Sequence, residues 1–362
     1  MRQVKTDLFK YLSRKPINPG GYEMSGKPYF IPTVNVAPLY SNDPSDFAQV
    51  DQVIGDACKN SGAFIASNIP KPVCPDKKQT KKLLAFYDLP HEERKMVGTR
   101  RANRDSTHDY RGYSPNMKNG RIRNEIYDIG PDYVVTGPDI PHVGQLIETN
   151  QWPAEEPENG WRAEMESYYE HMHDFSKRLM QSMIRYLGAD ETSGGARFDK
   201  SNSTLRLLNY PPLEDGVSLD DDPESIREFN GEKMRIMAIE HKDQCCLTLL
   251  WQSDVGGLQM QSPEGEWQAI PPIEEGISVH LGMAMGPMTD HVFEPTPHRV
   301  LGKGNARQSI GFFLEPDLHA TTQPFTKVEA GSAVANDDTY AASLLRTIAG
   351  REAAKKAQQK TG

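Results

Sequence analysis

From about residue 202 the chain turns into a series of short apolar runs separated by turn signals. The runs are STLRLLNY, KMRIMAIEH, CCLTLLWQ, GGLQMQ, EWQAI, GISVHLG and QSIGFFLEP, and the breaks between them include PPLEDG, DVGG, SPEGE and GKGN. Strands this short cannot bury their apolar faces alone. They must pair in two facing layers, as a sandwich or jelly roll.

The first 200 residues read differently. FIPTVNVAPL (30–39) and GAFIASNI (62–69) are strand-like, and helical spacing runs over 46–60 through Phe47, Val50, Val53, Ile54, Ala57 and Cys58. A second helix is expected over 79–97, broken near Pro90. A long one is expected from about 159 to 188, with Met165, Tyr168, Met172, Phe175, Leu179, Met183 and Leu187 on one face as core packing. Residues 94–123 hold nine Arg and Lys among Gly, Asn, Ser and Pro and read as a basic loop. The layout is an arm (1–29), a leading helical and mixed region (30–200), the strand-rich core (201–318) and a helical tail (319–362).

The charge balance excludes some functions. Fifty acidic against 41 basic residues give a formal charge of −9, the wrong sign for a general nucleic-acid binder. No apolar stretch approaches the roughly 18 residues that span a membrane. The N-terminal stretch has no apolar core of a secretory signal. Cys58, Cys74, Cys245 and Cys246 show no CxxC spacing and read as reduced thiols. A cytoplasmic monomer is the expectation.

Three residues stand out as metal ligands. His241 and Asp243 are two apart in a strand-like run, where i and i+2 share a face, and His298 follows 55 positions after Asp243. Two imidazoles and a carboxylate in a facial array suit non-haem Fe(II) and leave three positions open. His298 lies in TPHRV, and Arg307 and Ser309 follow with the same period of two. A guanidinium fork beside a hydroxyl grips a carboxylate. His171 and His173 lie on the long helix, where i and i+2 diverge, and read as solvated. His280 and His291 flank the pocket strands, where either could stand behind the metal ligands, and neither is assigned a role.

The stretch from Ser203 to Pro316 resembles the isopenicillin N synthase-like family of Fe(II)- and 2-oxoglutarate-dependent dioxygenases. The matching residues are RLLNYPP (206–212), HKDQCCLTLLWQSDVGGLQM (241–260), TPHRV (296–300) and RQSIGFFLEP (307–316), and IPTVNVAPL, SGAFIASNI, RGYSP and EIYDIG fit the family's leading region. The resemblance implies an α+β fold, a double-stranded β-helix (jelly-roll) core flanked by helices. It implies His241, Asp243 and His298 as iron ligands, and Arg307 and Ser309, helped by Tyr210, as the grip on the distal carboxylate of 2-oxoglutarate. O2 is the third reactant, succinate and CO2 are released, and a C–H bond of a small metabolite is oxidised by hydroxylation, desaturation or ring closure. The chain departs from the usual pattern at Leu208, at Gly282-Met283 and at Gln244-Cys245-Cys246. These positions bear on the substrate.

The arginine excess near the expected pocket mouth suggests an anionic, carboxylate-bearing substrate held by Arg121, Arg123 and Arg206, with Tyr127 in the same segment. The tail after Pro324 is expected to fold over the pocket as a lid. Three other readings compete: an iron and O2 oxidase that does not use 2-oxoglutarate, a non-catalytic binding protein on the same fold, and a zinc hydrolase built on the triad. No nucleophile or paired base supports the last.

Overall fold

The computed structural model describes residues 31–327, 335 and 338–361, apart from Pro44, Asn119, Asp215, Asp220 and Asp221. The expected arm over 1–29 lies outside the described residues. In chain order the elements are β1 (Thr33–Asn35), α1 (Ser45–Ser61), β2 (Ala63–Ser67), α2 (Lys77–Leu84), α3 (His91–Met96), β3 (Gly112–Lys118), β4 (Arg121–Ile129), α4 (Trp161–Tyr186) and α5 (Glu191–Ala196). Next come β5 (Thr204–Tyr210), β6 (Ile226–Phe229), β7 (Glu232–His241), β8 (Leu247–Gln252), β9 (Leu258–Gln261), β10 (Trp267–Ala269) and β11 (Gly276–Leu281). The chain continues through α6 (Met285–Met288), β12 (His298–Gly302), β13 (Arg307–Leu314) and α7 (Tyr340–Thr361).

The strands form two sheets. The larger runs β1-β2-β11-β8-β13-β5-β4-β3 and the smaller β10-β9-β12-β7-β6. All pairings between neighbours are antiparallel except β1 with β2. The two sheets, with helices behind the larger one, are the jelly-roll arrangement of an α+β protein. Strands β1 to β4 complete the larger sheet, so the leading region and the core share it.

Alternation along the strands decides what each face does. Leu205, Leu207, Leu247, Leu249, Ile310 and Phe312 join the main apolar cluster with α4, whose Met165, Tyr168, Met172, Phe175, Leu179 and Met183 are all buried. Helix α1 adds Val50, Ile54, Ala57 and Cys58 to the same cluster. The alternate positions, Arg206, Leu208, Tyr210, Arg307 and Ser309, are left for the face turned towards the smaller sheet. There Tyr210 packs with Met237 and Val300 of β7 and β12.

The expected helix over 79–97 is split near Pro90, with α2 capped by Asp76 accepting from the Gln79 N–H at 2.8 Å and Pro90 preceding α3. The expected loop over 94–123 is corrected in part: it holds β3 and the start of β4. Only the first three residues of β3 are buried, and β3 is an edge strand that tolerates Pro115. Beyond its buried start the strand is polar, so its second half has the composition of a loop. All four cysteines are free. Among the described residues no helix is long and apolar enough to cross a membrane.

Candidate metal centre and active-site cavity

His241 closes β7 and His298 opens β12, and the two face each other as an antiparallel pair. Their rings stand 4.2 Å apart, centroid to centroid. Asp243 lies past the end of the strand, so alternation within β7 is not what brings it to His241. The turn into β8 does that work. The Met283 N–H donates to the Asp243 carbonyl at 2.8 Å, and the Thr248 hydroxyl donates to Asp243 Oδ2 at 2.6 Å. Gly282 lets β11 approach this turn, because a Cβ there would stand 2.0 Å from the Cys245 carbonyl oxygen.

One ligand atom from each of His241, Asp243 and His298 lies within 4.8 Å of the others. His241 Nε2 is 3.5 Å from Asp243 Oδ1, and His298 Nε2 is 3.5 Å from Oδ2. An ion about 2.1 Å from each donor spans such separations. The other ring nitrogens are anchored on backbone carbonyls, His241 Nδ1 on Ile239 at 2.7 Å and His298 Nδ1 on Thr296 at 3.2 Å. With Nδ1 protonated in each ring, both Nε2 lone pairs are free for a metal.

The protonation states of Asp243 and His298 suit the same task, whereas His241 must give up a proton to bind a metal. Burial opposes ionisation of Asp243, but hydrogen bonds from His241 and His280 and the nearby imidazoles outweigh it and hold its carboxyl well below the usual range. Burial and the neighbouring His280 press His298 down to about 3, so it is a neutral donor. His241 stands above the ordinary histidine value, because the Asp243 hydrogen bond and charge overcome the burial that lowers it. A borderline first-row divalent ion, which takes imidazole nitrogen together with carboxylate oxygen, fits this donor set.

Arg307 opens β13 opposite Tyr210 at the end of β5, with its guanidinium 5.0 Å from that ring centroid. It is only 1% exposed. It donates to the Gly256 carbonyl at 2.6 Å, to Ser309 Oγ at 3.1 Å and to Gln252 Oε1 at 3.4 Å. Among the described residues no carboxylate pairs with it. Burial without a counter-ion presses its pKa below the usual arginine value, with Tyr210 opposing.

A cavity of about 820 Å³ opens on His241 and Asp243 of the triad. Arg111, Asp128, Thr204, Arg206, Phe313 and Glu315 line it from the larger sheet and its flank, and His241 to Cys245, Met283 and Pro297 from the metal side. Leu344, Thr347 and Ile348 of α7 form a further wall. Arg307, Ser309 and Tyr210 are not on this wall. They lie in the interior, where Met237, Val300 and Leu208 pack about Tyr210.

The expected substrate residues scatter. Arg121 is exposed beside Glu214, Arg123 donates to the Ile236 carbonyl, and Tyr127 is buried under α4, stacked on Phe86 with its hydroxyl on the Gln151 carbonyl. None of the three lines the cavity. The reason is β4: its outer end carries both arginines away, and Tyr127 faces the helix side. Arg206 does line the cavity, but both its Nε and one terminal nitrogen bond Asp128, at 2.8 and 2.7 Å. The cationic excess behind the expectation of a carboxylate-bearing substrate is therefore absent here. His171 is exposed, and His173 bonds the Phe198 carbonyl. Neither joins the triad.

Residues the sequence did not single out are Asp128, Arg111 and Glu315. Arg111 bonds the carbonyls of Ile129, Asn202 and Ser203 and the side chains of Thr204 and Asn202. Glu315 faces the cavity, and among the described residues none donates a hydrogen bond to its carboxyl. Burial pushes that carboxyl up to about 7, against the opposing charges of Arg111 and Arg206. A charged residue ending the apolar run QSIGFFLEP was its one visible signal.

Comparison with known proteins agrees with this architecture. Residues 201–316 match the 2OG-Fe(II) oxygenase superfamily, and residues 31–155 the N-terminal region of the non-haem dioxygenases described from morphine synthesis. The isopenicillin N synthase of Amycolatopsis lactamdurans is 28% identical over 298 residues, covering 82% of this chain and 87% of that protein. A clavatol oxidase of Penicillium crustosum is 28% identical over 326 residues, covering 83% and 90%. A full-length Neurospora crassa protein, solved in complex with alpha-KG, superposes with a TM-score of 0.70 at 21% identity, covering 89% and 96%. On two family matches spanning the leading region and the core, the chain belongs to the isopenicillin N synthase-like family of Fe(II)- and 2-oxoglutarate-dependent oxygenases.

Proposed function

We propose that the protein is a 2-oxoglutarate-dependent dioxygenase that oxidises a C–H bond of a small molecule. The observation that carries this reading is Arg307, a buried guanidinium with no carboxylate of its own among the described residues, on the same fold as an imidazole-carboxylate triad. A buried cation calls for an anion, and the distal carboxylate of a keto acid supplies one. His241, Asp243 and His298 would hold iron, and Arg307 with Ser309 would hold 2-oxoglutarate, beside the ring of Tyr210. When bound, iron, 2-oxoglutarate and O2 together supply the oxidant that takes hydrogen from the substrate, and 2-oxoglutarate leaves as succinate and CO2.

The chain's own residues do the rest. The carbonyls of Ile239 and Thr296 fix both imidazoles, so the donors need not reorganise. The α7 wall and Phe313 keep water from a reacting bond. The substrate is a small polar molecule. One bearing a carboxylate would meet Glu315 and would have to compete with Asp128 for Arg206. A second reading is an iron and O2 oxidase in which Arg307 takes a substrate carboxylate instead. Similarity to proteins named isopenicillin N synthase favours keeping it in view.

Anaerobic addition of Fe(II) and then 2-oxoglutarate to metal-free protein tests the assignment. A weak visible charge-transfer band that needs both, followed by succinate release on adding O2, is the expected result. Iron uptake with no band and no succinate would overturn the dioxygenase reading in favour of the oxidase.

A further inference from the structure

His280 sits in the middle of the larger sheet, on β11, and is 1% exposed. Its strand neighbours are Thr248 on one side and Ala63 on the other. Its Nε2 is 3.2 Å from Asp243 Oδ2, the oxygen that also accepts the Thr248 hydroxyl at 2.6 Å. Its ring stands 4.5 Å from that of His298. Its Nδ1 is buried and has no hydrogen-bond partner among the described residues.

That orphan nitrogen matters. A buried polar atom without a partner is unfavourable, and an apolar side chain would avoid it. The imidazole is thus poorly matched to the sheet on its Nδ1 side and well matched on its Nε2 side. Because a carboxylate only accepts, Nε2 must carry the proton. Two donors, from directly paired residues of neighbouring strands, then converge on one oxygen of Asp243. They occupy Oδ2, which also lies 3.5 Å from His298 Nε2, whereas Oδ1, 3.5 Å from His241 Nε2, takes neither of these two donors.

We propose that His280, paired with Thr248, is a positioning residue that fixes the rotation of Asp243 so that it binds the metal through Oδ1. The inference rests on the iron-site reading. It adds a residue that neither the H-x-D spacing nor the distal histidine reveals.

The test uses the full chain, metal-free, with Fe(II) added anaerobically against a chromophoric chelator. Loss of an outer partner of a metal ligand weakens metal binding by roughly 10–100-fold. His280→Leu is expected to fall in that range while the melting temperature of the metal-free protein holds or rises, because the orphan nitrogen is gone. His280→Gln, which keeps an N–H of similar reach, is expected to recover most of the affinity. Thr248→Val gives an independent loss through the same oxygen. If His280→Leu binds Fe(II) as wild type does, or if its metal-free form melts well below wild type, the role is packing and the proposal is wrong. If wild-type protein takes up no Fe(II), the iron-site reading itself fails first, which the same titration distinguishes.

Discussion

Replacing Arg307 by Met removes the guanidinium and keeps most of its apolar bulk over Tyr210. Arg307 holds three hydrogen bonds, to Gly256, Ser309 and Gln252, and none of them neutralises its charge. A carboxylate bound there would gain two charge-assisted hydrogen bonds, each worth about 1.5–3 kcal/mol. Their loss should cost roughly 3–5 kcal/mol, which is two to three and a half orders of magnitude in the Kd of 2-oxoglutarate. Arg307→Lys keeps the charge but not the fork and should fall between. The assay is the anaerobic charge-transfer titration of the Fe(II)-loaded protein. Two controls follow from the structure. Fe(II) affinity should not change, because Arg307 contacts none of the triad residues. The metal-free protein should be no less stable, because Met removes a buried charge that has no counter-ion. A Met variant that binds 2-oxoglutarate within about threefold of wild type would refute the reasoning, since the expected effect is at least about thirtyfold larger.

Glu315 gives a pH prediction. Its carboxyl is raised from 4.5 to about 7, so between those values the folded state binds the proton and the unfolded state does not. Stability must therefore fall as pH rises through that window, by roughly 1–3 kcal/mol after allowing for solvent in the cavity. Glu315→Gln should flatten the slope in a series of melts from pH 4.5 to 8; an unchanged slope would show that another group causes it. Arg206→Ala strands the buried Asp128 carboxylate and should lower the unfolding free energy by roughly 2–4 kcal/mol in denaturant titrations. An effect confined to substrate KM, with stability intact, would restore Arg206 as a substrate anchor. Deleting the residues after Pro324 removes the wall made by Leu344, Thr347 and Ile348, and KM for the substrate should rise by about tenfold or more while 2-oxoglutarate affinity holds. Unchanged KM and kcat would mean that α7 is not a lid.

Much of the core was legible because its signals are local. Period two marked β5, β7, β8, β11 and β13, and the apolar stripe from Met165 to Met183 marked α4. The triad was legible for a less local reason: His241, Asp243 and His298 carry the family's spacing. Strand alternation placed His241 beside Asp243 for the wrong cause, since a turn and Gly282 bring them together. What escaped was cross-strand pairing. Asp128 is opposite Arg206 on the neighbouring strand, 78 positions away in sequence, and nothing near either residue announces the other. The pairing turned an apparent anion-binding arginine into half of an ion pair. His280 was placed beside the pocket, but its partners were hidden for the same reason, since they come from the next strand and the turn beyond it.

The same pairing logic separates the two halves of the site. The metal half is anchored in the sheets: β7 and β12 hold the imidazoles across a ladder with register shifts after His298, and β8 and β11 hold Asp243 from behind. Cross-strand pairing and the backbone hydrogen bonds on both imidazoles hold this half, so it can keep ligand atoms in place without a metal to organise them. The substrate half is assembled from the end of β13, the segment around Arg111 and Glu148, and one face of α7. These parts meet only in three dimensions, and α7 joins the rest through Tyr340, Ala341 and a few apolar contacts. Changes there alter which molecule fits while leaving the triad geometry alone. Substitutions at Glu315, Leu344 or Ile348 should therefore shift substrate preference with Fe(II) affinity unchanged, whereas substitutions at His280 or Thr248 should do the reverse. A variant series that moved both quantities together would mean that the two halves are coupled, and that the cavity wall helps to hold the metal.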